Sequence, residues 1–270
     1  MGSGQDPALL VYDSGFGGLS VVSGLRRQGV QGAIRYLADH AAFPYGDRTP
    51  EDLLERICLV LGEACSRLNP LGIVVACNTA STLALAELRR RNPGTPFIGV
   101  VPAVKPAAAL SKSGLASVLS TPLTAQRDYT ANLVREHAGQ CAMTIVGSPH
   151  LARLAESVLQ GNPPDHDAIR AEIAPCFVER DGRRTDAVAL ACTHFPLIQS
   201  TLMALAPWPV HWIDPADAVA RQVLRVLPGL ADRKPERGDV LSTRPPELGE
   251  GLAHALLARG LDDRIGLFAV

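Results

Sequence analysis

Charge of one sign, aromatic residues and long apolar runs are all scarce in this chain of 270 residues. Lys plus Arg (26) and Asp plus Glu (27) nearly cancel to a formal net charge of −1. No basic stripe announces a nucleic-acid partner, and a small molecule is the better expectation. Aromatic residues make up only 4%. No uninterrupted apolar stretch is long enough to span a bilayer, and the polar start Met1–Pro7 lacks the apolar segment of a signal peptide. A soluble, cytoplasmic protein without a membrane partner is expected.

Several cofactor signatures are missing as well. Neither CxxC nor HxxxH spacing occurs, so no zinc site is expected. The loop Asp13-Ser14-Gly15-Phe16-Gly17-Gly18 has Ser20 where a GxGxxG fingerprint needs its third glycine, and no Gly-Lys-Ser/Thr follows. Its glycines suit a carboxylate or an amino-acid backbone held by loop amides and Ser14, with Asp13 facing an ammonium group or a base. The plainer alternative is that Asp13 or Ser14 caps the next helix. The only lysines are Lys105, Lys112 and Lys234, none in a clear phosphate-binding context after a strand. A pyridoxal phosphate mechanism, which needs a Schiff-base lysine, is therefore disfavoured, and no cofactor is expected.

What the chain does have is an alternation of apolar strand-like runs and amphipathic helical patterns. Strands are expected at 9–13, 33–38, 72–76, 97–101, 117–121, 143–147, 186–191 and 210–213. Helices are expected at 19–27, 50–68, 81–91, 102–111, 124–137, 151–159, 196–206 and 216–227, with a final one at 248–259 after a flexible segment at 233–246. This order implies an α/β fold with mostly parallel sheets flanked by helices, with active residues at the carboxyl ends of strands. The turn-rich breaks Asn92-Pro93-Gly94 and Pro207-Trp208-Pro209 are candidate crossover points between two halves.

Two thiols stand out among six cysteines. Cys77 ends the run Gly72-Ile-Val-Val-Ala and precedes Asn78-Thr79, while Cys192 ends Ala187-Val-Ala-Leu-Ala and precedes Thr193-His194. Cys58, Cys65, Cys141 and Cys176 read as buried small apolar residues, and without a secretory signal all six are expected to be reduced. A thiol's ordinary pKa of about 8.5 lets one sulfur act as a thiolate base while its partner remains an acid. Two such groups on opposite faces of one carbon would remove a proton from one side and deliver one to the other, inverting the centre. The alternative is that both are ordinary strand-end cysteines.

Taken together, Val11-Tyr-Asp-Ser-Gly-Phe-Gly-Gly-Leu19, Pro44-Tyr45-Gly46, Ala76-Cys-Asn-Thr-Ala-Ser81, Gly99-Val-Val-Pro-Ala-Val-Lys-Pro106 and Ala191-Cys-Thr-His-Phe-Pro-Leu197 resemble the glutamate racemases of the Asp/Glu racemase family. The resemblance implies cofactor-independent two-base interconversion of L- and D-glutamate, supplying D-glutamate for peptidoglycan. It implies that Cys77 acts on D-glutamate and Cys192 on L-glutamate, with Asp13 assisting the first thiol and Glu156 and His194 the second. Substrate binding would fall to Asp13, Ser14, Tyr45, Gly46, Asn78, Thr79, Thr193 and His194, with Thr124 added. Tyr45 could also be a turn aromatic, Glu156 a surface acid and His194 a core histidine.

The resemblance further implies two similar domains, residues 1–99 plus 211–270 and residues 100–210, with glutamate in the cleft between them and a homodimer as the assembly. The chain departs from the family at Ala38-Asp-His-Ala-Ala-Phe43, where His40 has no assigned role, and through the polar stretch 161–170. Two other readings stay open: a racemase for aspartate or another acidic compound, and a non-catalytic amino-acid-binding protein of this fold.

Overall fold

The computed structural model describes residues 7–270, and the polar start Met1–Asp6 lies outside the described residues. The strands are β1 (Leu9–Asp13), β2 (Ile34–Ala38), β3 (Gly72–Val75), β4 (Phe97–Gly99), β5 (Leu115–Ser120), β6 (Ala142–Gly147), β7 (Glu179–Arg180), β8 (Arg183–Arg184), β9 (Ala187–Ala191), β10 (His211–Ile213), β11 (Gly238–Ser242) and β12 (Leu261–Leu267). They form a six-stranded sheet in the order β12-β11-β2-β1-β3-β4, a four-stranded sheet in the order β10-β9-β5-β6, and the small β7-β8 hairpin. Both larger sheets are parallel throughout, as the alternating sequence pattern requires.

β1 shows why the strand runs read as continuously apolar rather than alternating. All five of its residues are buried. Leu9 and Val11 pack with Leu19, Leu25, Val219 and Val223 on one face, while Leu10 and Tyr12 pack with Leu53, Ile57, Ala80 and Ala84 on the other. Helices therefore cover both faces, the usual setting of parallel sheets. In the smaller sheet, Val188, Leu190 and Cys192 face the helices Leu151–Leu159, His166–Ile173 and Gln199–Leu205. Ala187, Ala189 and Ala191 face the opposite way, toward Val104 and Ala107. Small residues at those three positions let the short helix Val104–Leu110 lie close on β9.

Several expectations need correction. The segment 233–246 is not simply flexible, because β11 lies within it and pairs with β2 through Val240↔Tyr36. Its apolar signal is short and bracketed by Pro235, Pro245 and Pro246. β12 was not anticipated either: it is an edge strand carrying Asp262, Asp263 and Arg264, the charge pattern that protects an open edge. The polar stretch after Gly161 leads into the helix His166–Ile173, whose first turn is capped by the Asp165 carboxylate accepting from the Ala168 N–H at 3.0 Å. In place of one helix over 124–137 there are two, Pro122–Ala125 and Asp128–His137.

The expected crossover points also move. Asn92–Gly94 connects the helix Asn78–Arg91 to β4 within the larger sheet, and Pro207–Pro209 leads into β10 of the smaller one. The chain passes between sheets after β4 and again after β10, so the smaller sheet extends to Ile213, three residues past position 210. Of the four cysteines read as buried, Cys58 and Cys176 are buried and Cys65 and Cys141 are half-buried. No helix among the described residues is long and apolar enough to cross a membrane.

Candidate active site

Cys77 and Cys192 occupy matching positions in the two sheets. Cys77 follows β3, an interior strand, and sits at the N-cap of the helix Asn78–Arg91. Cys192 follows β9, also interior, and leads into the turn Phe195–Ile198. Both line one small cavity, together with Ser14, Asn78 and Thr79 from the larger-sheet side and Thr121, Thr193 and His194 from the smaller-sheet side. Residues Phe43 to Gly46 close it from a loop after β2. Only about 10 Å³ admits a water-sized sphere, so this is a closed arrangement.

The cavity is pinned across the two sheets at both ends. Thr193 Oγ1 donates to Asp13 Oδ2 at 3.0 Å, and Ser20 Oγ donates to the Thr193 carbonyl at 2.9 Å. At the other end Thr79 Oγ1 lies 3.0 Å from Thr121 Oγ1 and 3.1 Å from Thr124 Oγ1. Thr124 thus belongs to a threonine triangle behind the cavity wall rather than to the lining itself.

The two thiols have different surroundings. Cys77 Sγ donates to Ser14 Oγ at 3.9 Å, a long contact. Burial pushes this thiol far above its ordinary range and the adjacent Asp13 carboxylate pushes it further, against a favourable contact with the Ala80 N–H in the first helical turn. Cys192 Sγ instead lies 3.8 Å from His194 Nδ1, and His194 Nε2 lies 2.7 Å from Glu156 Oε2. Burial alone would lower the His194 pKa, but hydrogen bonds to Cys192 and Glu156 and their charges outweigh it and hold it well above the ordinary value. Both ring nitrogens of an imidazolium donate, which matches a sulfur on one side and a carboxylate on the other.

The glycine-rich loop does a different job from the one the sequence suggests. Its amides are turned inward: Ser14 N–H donates to Asp13 Oδ1 at 2.8 Å, Gly18 N–H to Asp13 Oδ2, and Phe16 N–H to Glu156 Oε2 at 3.3 Å. These N–H groups hold the protein's own carboxylates. Asp13 is fully buried with both oxygens engaged. Burial raises its pKa, opposed by the charge of His194 and by hydrogen bonds from Ser14, Thr193 and Gly18. Gly17 is needed because His194 packs onto it: a Cβ there would lie 2.3 Å from His194 Nδ1. Nothing local in the sequence signals that packing.

Tyr45 reaches the cavity wall, but its hydroxyl is committed elsewhere. It donates to Asp39 Oδ2 at 2.6 Å and shares a hydrogen bond with the Tyr12 hydroxyl. Asp39 in turn accepts from Arg56 at 2.7 Å and from Thr243 Oγ1 at 2.7 Å. A substrate at this wall would meet the ring or backbone of Tyr45 and the neighbouring Gly46. Asn78 is the converse case. Its side-chain oxygen and nitrogen are both buried and neither has a hydrogen-bond partner among the described residues, although the residue lines the cavity. Buried amides left free in this way mark positions where a ligand completes the hydrogen bonding.

Sequence reasoning missed Phe43, whose ring lies 5.3 Å from that of His194 and 5.6 Å from that of His40, and Ala152, which also lines the cavity. It also missed Thr121. A Thr-Pro pair capping a helix was the available signal: Thr121 Oγ1 accepts from the Thr124 N–H.

A sequence profile of the family described as Asp/Glu/Hydantoin racemase matches residues 20–223 of the chain. A glutamate racemase of Brucella canis is 48% identical over 224 residues, covering 83% of this chain and 81% of that protein. One from Sinorhizobium medicae is 48% identical over 220 residues, covering 82% and 81%. Among solved structures, Escherichia coli glutamate racemase in complex with L-glutamate and the activator UDP-MurNAc-ala superposes with a TM-score of 0.86. Its sequence is 33% identical, with 98% of this chain and 99% of that chain covered.

Proposed function

The chain belongs to the Asp/Glu/hydantoin racemase family, and we propose that it racemises glutamate by two-base proton transfer between Cys77 and Cys192. The observation that carries this reading is that one cavity is lined by a thiol from each sheet, each with its own polar partner. In the L-to-D direction Cys192 takes the α-proton, beside the His194 imidazolium that supplies the electropositive setting a thiolate needs. Cys77, which burial and Asp13 keep protonated, delivers a proton to the opposite face. The reverse direction exchanges these roles.

Asn78, Ser14, Thr79, Thr193 and the Tyr45–Gly46 backbone supply the polar wall for the substrate's ammonium and carboxylates. A glutamate does not fit the closed cavity, so the parts carrying the two sheets separate for entry and close again before proton transfer, excluding water. We divide the chain at the boundaries the resemblance implies, residues 1–99 plus 211–270 and residues 100–210, with the second boundary moved to 213 so that β10, which pairs with β9, stays in the second part. The product, D-glutamate, serves peptidoglycan synthesis. The six free cysteines fit a reducing cytoplasmic compartment. We expect a homodimer in solution, which light scattering on the purified protein tests.

The direct experiment follows optical rotation with L-glutamate and, separately, L-aspartate as substrate. Glutamate turnover lost in both Cys77→Ser and Cys192→Ser supports the reading. Turnover of aspartate alone reassigns the substrate, and no turnover of either leaves a binding protein.

A further inference from the structure

Glu156 uses only one of its two carboxylate oxygens for hydrogen bonding. Oε2 serves His194 Nε2 and the Phe16 N–H, whereas Oε1 is buried with no hydrogen-bond partner among the described residues. That free oxygen lies 3.8 Å from His40 Nε2. A closer approach of less than about 1 Å would make it a hydrogen bond. The His40 ring stacks on Phe43 with planes 6° apart and packs near Phe16, and its Nδ1 has no hydrogen-bond partner among the described residues.

The exposure of these groups is graded. The side chains of His194 and Glu156 are 2% and 8% exposed, and that of His40 is 17% exposed. The charged groups facing His40 are Glu156, His194 and Arg244, whose guanidinium donates to the His40 carbonyl. Burial with the two cations outweighs the attraction of Glu156 and keeps the imidazole neutral at pH 7, able to take up a proton and release it.

The proposed reaction leaves a proton imbalance. After each L-to-D turnover Cys192 holds the proton taken from the substrate and Cys77 lacks the one it gave away. Another turnover in the same direction requires Cys192 to lose a proton and Cys77 to regain one. Cys192 is buried, and its polar contact is His194.

We propose that His40 is the solvent-side end of a relay, Cys192–His194–Glu156–His40, that resets the second thiol between turnovers. This rests on the two-thiol reading above. The sulfur–imidazole pair passes one proton from His194 Nε2 to Glu156 Oε2. The carboxyl group turns and passes one to His40 Nε2, and that same nitrogen, Nδ1 being buried, releases it to water. Glu156 and His40 end as they began, and the pair is one proton lighter. His40 acts through Glu156 and His194 and does not touch the substrate, so it is a positioning residue for proton traffic.

The test is His40→Gln, which keeps a polar side chain but cannot carry the proton. Resetting of the free enzyme enters kcat and not kcat/KM. The expected result is a kcat for L-glutamate lowered at least about tenfold, with KM lowered in proportion, kcat/KM retained and kcat restored by added imidazole. An unchanged kcat overturns the proposal, as does a fall in kcat/KM that imidazole does not restore. Should the variant fail to fold, the wild type in D2O decides: a larger solvent isotope effect on kcat than on kcat/KM supports the relay, and equal effects overturn it. Absence of racemisation in the wild type would instead remove the two-thiol reading itself.

Discussion

Gly17 lies directly against the His194 ring, so closely that a Cβ at that position would come within 2.3 Å of Nδ1 and 2.6 Å of Cε1. The loop after β1 and the thiol loop after β9 are thus shaped to each other. Packing at this point sets the distance between His194 and the Cys192 sulfur.

Gly17→Ala should accordingly displace the imidazole without removing any catalytic group. A shift of about 1 Å typically costs on the order of 10²-fold in rate. We expect kcat/KM for L-glutamate to fall by about that factor, with circular dichroism unchanged. Full activity in a folded Gly17→Ala protein would show that the His194 position is not used.

The His194–Glu156 pair predicts an alkaline limit. The folded-state value of His194 is raised above its ordinary value of about 6.5. The pair's contribution is therefore complete below that ordinary value and is lost as pH rises through the higher folded value. Glu156→Gln removes the carboxylate charge and should shift the alkaline limb of the pH–kcat/KM profile for L-glutamate to lower pH by about one unit or more. An unmoved limb would mean that Glu156 does not hold the charge on His194.

Tyr45→Phe tests where that hydroxyl belongs. Removing it leaves the fully buried Asp39 carboxylate and the Tyr12 hydroxyl short of a partner. A stability loss of about 1–3 kcal/mol is expected from urea unfolding, with KM for glutamate changed less than about twofold. A large rise in KM at unchanged stability would place the hydroxyl on the substrate instead.

Asn78→Ala should behave the opposite way. Both polar atoms of the Asn78 side chain are buried and unpaired among the described residues, so truncation relieves an unmet demand in the free protein and removes hydrogen bonds only from the bound state. The melting temperature should hold or rise while KM for glutamate increases about tenfold. A lower melting temperature with unchanged KM would contradict this.

The cysteine pair was legible in the sequence because each thiol ends an apolar strand run and is followed at once by polar residues, a purely local pattern. The parallel α/β fold was legible for the same reason, through periodicity. Contacts between distant segments were not. Tyr45 looked like a ligand because its partners, Tyr12 and Asp39, lie at the ends of two other strands. The Phe16 amide looked free because its acceptor, Glu156, is remote in sequence, whereas those of Ser14 and Gly18 turn back onto the neighbouring Asp13. β11 escaped notice because its apolar core, Val240 and Leu241, is short and enclosed by charge and proline. His40 was visible only as a departure from the family pattern, and its meaning depends on the free oxygen of Glu156.

The fate of the α-proton tests the two-thiol mechanism most directly. With the wild-type protein and L-glutamate in D2O, analysed at low conversion, deuterium should appear at the α carbon of newly formed D-glutamate while recovered L-glutamate stays largely unlabelled. Separate sulfurs on opposite faces require that outcome. Equal early labelling of both enantiomers would contradict it, because a single base exchanging with solvent would then suffice.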